Sequence, residues 1–276
     1  MPYKTILVHL NDRRRVEKLL KPAVFLARRY NSHLIGVHVY PGVPSPPIPS
    51  PAGKYVAGKI LAFEKAESDA IAEVFATMTA SQPFVSEWRA ILSPLFEIPA
   101  VVMDHARCAD LIVAGQADPS WDFSSTMDFP ERLALESGRP VLVVPNVGHD
   151  RELGRNVLIA WKPTRQAARA AFDALPLLTD AERVQILEVK PSADTPLIPD
   201  TSIAAALGRH GIKPILRSTV EPDSRVGDEI LLRLAEEGAD LLVMGAYGHS
   251  RVREYVLGGA TRHVARHMTV PTLWSH

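Results

Sequence analysis

"GADLLVMGAYGHSRVREYVLGGATRHV", residues 238–264, joins an apolar run of strand character to a polar, basic loop bounded by glycines, and then to a helix-period segment. A short β-rich run that passes through such a loop into a helix is half of a βαβ unit, the building block of a parallel sheet covered on both faces. The same run occurs earlier in the chain. "CADLIVAGQ" from Cys108 parallels "GADLLVMGA" from Gly238, and "KTILVHLNDRRRVEKLL" from Lys4 parallels "RNVLIAWKPTRQAARAA" from Arg155. "HLIGVHVYP" parallels "RVQILEVKP", and "ESGRPVLVVPN" parallels "HMTVPTLWSH". Four blocks in one order define two copies of one α/β fold, residues 1–147 and 153–276, joined near "VGHDRELG".

Within the first copy the apolar runs predict strands at Thr5–Leu10, His33–Tyr40, Val85–Ile91, Leu111–Ala114 and Val141–Val144, with helices between them. Arg13–Arg29 carries Val16, Leu19, Leu20, Ala23 and Ala27 on one face, a core-facing stripe. "YPGVPSPPIPSPAG" is too rich in proline for helix or inner strand and reads as an extended surface connector; "KPSADTPLIPD" takes its place in the second copy.

Composition narrows the function classes. Acidic and basic residues balance at 31 each, so no global field marks a nucleic-acid or membrane-surface binder. No apolar stretch approaches the roughly 20 residues of a spanning helix, and the N-terminal run is too short for a signal peptide, so a cytoplasmic protein is expected. The single cysteine, Cys108, excludes an internal disulfide and a cysteine-only metal cage; its helix-like surroundings predict a packed thiol.

Parallel sheets bind ligands beyond the carboxyl ends of their strands. Gly245 closes such a strand, Gly248 follows three residues on, and "GGAT" at 258–261 opens the next helix. Glycine lets backbone approach a ligand, and a helix start offers free amide N–H groups to an anion. Thr261 is placed as cap or hydroxyl donor, with Arg251, Arg253 and Arg262 adding positive charge. No Gly-Lys-Ser/Thr follows the glycines, and the spacing is not that of the dinucleotide fingerprint. On local spacing alone, anion binding and two simple chain turns stand level.

The pattern G-x2-G-x9-G in "GAYGHSRVREYVLGG" resembles the nucleotide-binding signature of the universal stress protein family, and the four paired blocks resemble two of its domains in tandem. The resemblance implies Rossmann-like domains of the adenine nucleotide alpha hydrolase-like kind. Each would be an open five-stranded parallel sheet of order 3-2-1-4-5 with helices on both faces, the halves pairing through their last strands. It places phosphate and ribose contacts on Gly245, Gly248, Gly258, Gly259, Ala260 and Thr261. Trp161, Lys162 and Val189, at the ends of the first two strands, would enclose the base. The implied ligand is ATP or another adenine nucleotide, with magnesium accompanying it.

The chain departs from that pattern in both halves. Gly259 stands where serine or threonine is usual, and Lys162 where ATP-binding members usually carry aspartate. The first half departs further: in "GQADPSWDFSSTMDFPERLAL" only Gly115 of the glycine pattern remains. Asp128 is expected to cap the helix, Pro130 removes one amide donor and Glu131 charges the first turn, filling the positive end that would bind an anion. Asn11 replaces the first-strand aspartate. The first half is therefore expected to be a structural or regulatory copy without a phosphate site.

Other chemistry finds less support. His263 and His267 have the i, i+4 spacing of metal ligands but no acidic or cysteine partner in the nearby sequence, so packing is the expected role and no metal site is assigned. His249 reads as a polar loop residue rather than a base. No catalytic residue is assigned, and at most slow ATP hydrolysis is expected. The resulting expectation is a stress-response or signalling protein whose second half binds an adenine nucleotide, with possible homodimers and no nucleic-acid or membrane partner. The alternatives are a nucleotide-free scaffold for dimerisation and partner binding, and an enzyme acting on a phosphorylated or adenylated metabolite.

Overall fold

The computed structural model describes residues 2–42, 51–93, 97–121, 124–148, 152–190, 201–247 and 259–276. The chain divides into two compact units, Tyr3–Leu133 and Ala134–His276. Both are α/β, built on parallel strands.

In the first unit β1 (Thr5–His9), α1 (Val16–Tyr30), β2 (His33–Pro41), α2 (Pro51–Thr79), β3 (Ser86–Ser93), α3 (Ile98–Ala106) and β4 (Leu111–Gly115) alternate along the chain. α4 (Ser124–Met127) and α5 (Pro130–Glu136) follow. The strands lie parallel in the order β3-β2-β1-β4, with Leu7 opposite Ile35 on one side and Ile112 on the other. Ile6, Leu7, Val8, Leu111, Ile112 and Val113 are all fully buried, as a sheet covered on both faces requires. The core stripe of α1 is as expected, with Val16, Leu19, Leu20, Ala23 and Ala27 all buried; a 3-10 turn, Arg13–Arg15, precedes it. Much of the proline-rich connector lies outside the described residues, but its end does not: Pro51, Ala52 and Gly53 already belong to α2. A proline at a helix start loses only an amide that has no helical partner.

The second unit opens with β5 (Val141–Val144) and continues β6 (Asn156–Trp161), α6 (Arg165–Asp173), α7 (Leu175–Thr179), β7 (Arg183–Lys190), α8 (Thr201–Gly208) and β8 (Ile215–Val220). It ends with α9 (Val226–Glu236), β9 (Leu241–Gly245), α10 (Ala260–His267) and β10 (Thr272–Ser275). Parallel pairing gives the order β8-β7-β6-β9-β10. β5 joins at the end of that row, antiparallel to β10, with Leu142 opposite Leu273 and Val141 opposite Trp274.

The repeated "ADL" has a structural cause. The Asp110 carboxylate accepts the backbone N–H groups of Lys4 and Thr5 at 2.8 and 2.9 Å, and Asp240 accepts those of Gly154 and Asn156 at 2.7 and 2.8 Å. Each aspartate returns its own N–H to the carbonyl of Thr5 or Asn156 at 2.9 Å. The same clamp thus ties the first strand of each copy to its fourth.

One expectation is corrected at the matching turn. Cys108 is exposed in the turn after α3, not packed inside a helix. Its counterpart Gly238 follows α9 with φ of 61°. Glycine is favoured in that left-handed conformation at a helix C-terminus. Among the described residues, no helix is long and apolar enough to cross a membrane.

Candidate functional site

Several expected site residues gather at the carboxyl ends of β6, β7 and β9. Gly245 ends β9, and its missing side chain is first a packing matter. A Cβ there would lie 2.5 Å from the backbone nitrogen of Ala167 and 2.6 Å from the carbonyl carbon of Gln166. The first turn of α6 therefore sits directly on the end of β9, an approach only glycine allows. Thr164 holds that turn, its hydroxyl accepting the Ala167 N–H at 3.3 Å.

Beyond Gly245 the backbone turns sharply at Tyr247, whose φ is 55°. A non-glycine residue in this region stores local strain and is commonest near functional turns. The Tyr247 N–H donates to Thr261 Oγ1 at 3.2 Å, which docks the start of α10 at the end of β9. Thr261 is buried. Its hydroxyl oxygen is thus used inside the protein, which leaves the hydroxyl proton available to donate. Gly259, which has no side chain to cap with, is the residue before α10. Gly248, His249, Arg251, Arg253 and Gly258 lie outside the described residues.

On the neighbouring strands, Lys162 is exposed directly after β6, and its carbonyl accepts the Thr164 N–H at 2.7 Å. Trp161 is half-buried, and its indole N–H is a buried donor without an acceptor among the described residues. Val189, half-buried on β7, stands next to Lys190, whose Nζ lies 3.6 Å from Glu188. His276 closes this end of the sheet, its Nδ1 donating to the Ala246 carbonyl at 2.9 Å while Nε2 lies 3.4 Å from Arg165.

The first unit fills the corresponding place from within. Asp128 stands thirteen residues after Gly115, as Gly258 does after Gly245. Its side chain is fully buried, and its carboxylate accepts from Arg15 Nη2 at 2.5 Å, Asn11 Nδ2 at 2.6 Å, Ser124 Oγ at 2.7 Å and the Asp118 N–H at 3.2 Å. The expected helix-capping role of Asp128 is therefore corrected: these bonds run to Asn11 after β1, Arg15 of the 3-10 turn, Ser124 of α4 and Asp118 after β4, rather than to α5. Arg15 also donates to the Gln116 carbonyl at 2.9 Å and lies 5.4 Å from the Trp121 ring. The pair is a built-in anion with its cation. Pro130 and Glu131 do open α5, as expected.

Sequence reasoning missed Arg15, because nothing in "DRRRV" distinguishes the one arginine that turns inward. The alignment carries the signal only in retrospect. Asp12, Asp118 and Asp128 of the first copy match Pro163, Gly248 and Gly258 of the second, and Asn11 matches Lys162. Three carboxylates are removed, Arg15 gives way to Gln166, and one lysine is added.

Two buried histidines lie near the first-unit network. His9 is pushed down to about 3, by burial first and then by the positive charges of His38 and Arg15. His38 donates from Nδ1 to the Leu10 carbonyl at 2.6 Å and is also lowered, again chiefly by burial. Because the folded His9 binds a proton more weakly than the unfolded chain, acid favours unfolding. Stability is complete above the ordinary value of 6.5 and falls as pH drops from there toward about 3. At pH 5 this one residue is expected to cost about 2 kcal/mol. Urea denaturation at pH 7.5 and 5.0 checks this, with His9→Phe expected to flatten the difference.

The His263 and His267 rings lie 4.5 Å apart between centroids, tilted by 34°. An acidic neighbour absent from the local sequence does exist: His263 Nε2 lies 2.9 Å from Asp228. His263 also packs on Gly227, where a Cβ would come within 2.8 Å. Among the described residues, no group of three or more histidine, cysteine or acidic side chains is placed to hold a metal ion.

A parallel sheet with clamped first and fourth strands and helices alternating with the strands defines a Rossmann-like α/β protein. Residues 155–275 match the model of the universal stress protein family. A 47-residue stretch is 47% identical to universal stress protein Slr1230 of Synechocystis sp., covering 17% of this chain and only 16% of that protein. In fold, the chain is similar to a universal stress protein from Archaeoglobus fulgidus, with a TM-score of 0.71, 15% identity, and 98% and 95% of the two chains covered. It is also similar to a functionally unknown protein, PA1789, from Pseudomonas aeruginosa, with a TM-score of 0.58, 13% identity, and 99% and 92% covered.

Proposed function

We propose that the chain is a tandem universal stress protein, with copies at residues 1–147 and 153–276, and that its second half binds an adenine nucleotide such as ATP in stress response or signalling. The observation that carries this reading is the contrast between the two copies. At one strand-end position the first holds Asp128 against Arg15, while the second has glycine at the matching position and again directly before α10. An internal carboxylate closes the first site to an outside anion. The second can offer amides at the start of α10, the Thr261 hydroxyl and the Arg262 charge to phosphate. Gly245, Gly248, Gly258, Gly259, Ala260 and Thr261 would line the phosphate side, and Trp161, Lys162 and Val189 the base and ribose side. Magnesium would accompany a triphosphate and neutralise part of its charge. The antiparallel pairing of β5 with β10 supports intramolecular pairing of the two copies through their last strands.

Thermal unfolding of nucleotide-stripped protein with ATP, ADP and AMP, with and without magnesium, tests the proposal. A hundredfold excess over Kd is expected to stabilise by about 2.7 kcal/mol. Gly248→Val/Gly258→Val is expected to abolish that shift, measured against the variant's own ligand-free transition. A wild-type protein that responds to none of the three favours the nucleotide-free scaffold instead.

A further inference from the structure

Among the described residues β8 pairs with β7 alone, in continuous register from Ile215 opposite Gln185 to Val220 opposite Lys190. One bond fixes the direction of its outer backbone groups. The Glu221 N–H donates to the Lys190 carbonyl at 2.9 Å, so Glu221 turns its backbone groups toward β7. By the alternation of a strand, so do Thr219, Arg217 and Ile215. Leu216, Ser218 and Val220 therefore turn their N–H and C=O groups outward.

That edge lacks the usual protections. "ILRSTV" contains no proline or lysine, its register with β7 contains no bulge, and Leu216 and Val220 are 46% and 48% exposed. An edge of this kind is a template for another strand. Pro214 and Pro222 bound it on both sides and have no N–H to offer, so a partner strand can use only the stretch between them.

Within that stretch the outward groups are symmetric about Ser218, which fits a second copy of the same strand running antiparallel. Leu216 then stands opposite the partner's Val220, and the two Ser218 residues face each other across the axis. The three hydrogen-bonded pairs exchange about six bonds and set apolar side chains opposite one another. On the other face Arg217, which lies 3.9 Å from its own Glu237, is diagonal to the partner's Glu221, so opposite charges approach across the seam. A slip by two residues either way sets Pro214 or Pro222 opposite an outward group, which pins the register.

We propose that the protein self-associates through the outer edge of β8, two copies pairing antiparallel about Ser218 so that the sheet of each second half continues into the other.

Sedimentation velocity of the full chain over a range of loading concentrations tests this, with a monomer–dimer Kd of roughly 10–100 μM expected for so short an edge. Ser218→Pro removes an outward N–H that β7 does not use. It is expected to weaken the dimer at least about tenfold while leaving the far-UV circular dichroism unchanged. Leu216→Lys/Val220→Lys sets like charges opposite each other and is expected to stay monomeric. Leu216→Lys/Val220→Glu removes the same apolar surface but sets opposite charges in those places, and is expected to dimerise again. A wild type that is monomeric at about 1 mM, a dimer that survives Ser218→Pro, or a Lys/Glu variant no more associated than the Lys/Lys variant overturns the proposal.

Discussion

Gly245→Val is expected to destabilise the second half by about 3 kcal/mol, because the new side chain must enter backbone rather than yielding side chains. Its Cβ would stand 2.5 Å from the Ala167 nitrogen, and that nitrogen belongs to the capped first turn of α6. Neither β9 nor α6 can withdraw alone: β9 is paired on both sides, with β6 and β10. A smaller substitution at the matching position of the first half meets a softer surround. At Gly115 the nearest atom to an added Cβ is the tip of Arg15 at 3.3 Å, so Gly115→Ala is expected to cost only about 1 kcal/mol. Native-state hydrogen exchange, resolved to peptides of each half, reads the two effects separately. A Gly245→Val protein with unchanged protection of β6 and β9 would show that the close approach is not real.

A loss of about 3–5 kcal/mol is expected from Asp128→Ala, the range for removing one partner of a buried ion pair. Arg15 would keep its charge with only 11% of its side chain exposed and without its shortest acceptor. Asn11 and Ser124 would each lose a bond that Asp128 now accepts. Asp12, 3.6 Å from Arg15 Nε, remains beside the cation but does not replace the shorter pair, and Arg15→Met/Asp128→Leu is expected to recover much of the loss. Exchange protection of β1 and β4 measures both. A single substitution costing under about 1 kcal/mol would mean that water reaches the pair and that the first-half site is not closed in the way described.

The parts of this fold legible in the sequence were those written as period and repetition. Continuous Val/Ile/Leu runs marked β1, β4, β6 and β9, and their recurrence marked the duplication. Boundaries written by punctuation were legible only where the punctuation existed. Gly238 announces the end of α9 by its left-handed φ, whereas Cys108 at the matching turn carries no such mark and reads as helix. Long-range polar pairing was not legible. Asp128 and Arg15 are 113 positions apart, and an aspartate just before a proline-led helix reads as a cap until the arginine is seen facing it. The same holds for Asp228 beside His263, and for Tyr247, whose strained backbone no residue type predicts.

At matched positions of the sequence the two halves differ: Asp12, Asp118, Asp128 and Arg15 in the first correspond to Pro163, Gly248, Gly258 and Gln166 in the second, and Asn11 to Lys162. Titration of the full, nucleotide-stripped chain with ATP by calorimetry tests that account most directly. One site per chain, lost in Gly248→Val/Gly258→Val, is the predicted result. Two sites per chain, or no heat of binding at all, would contradict it.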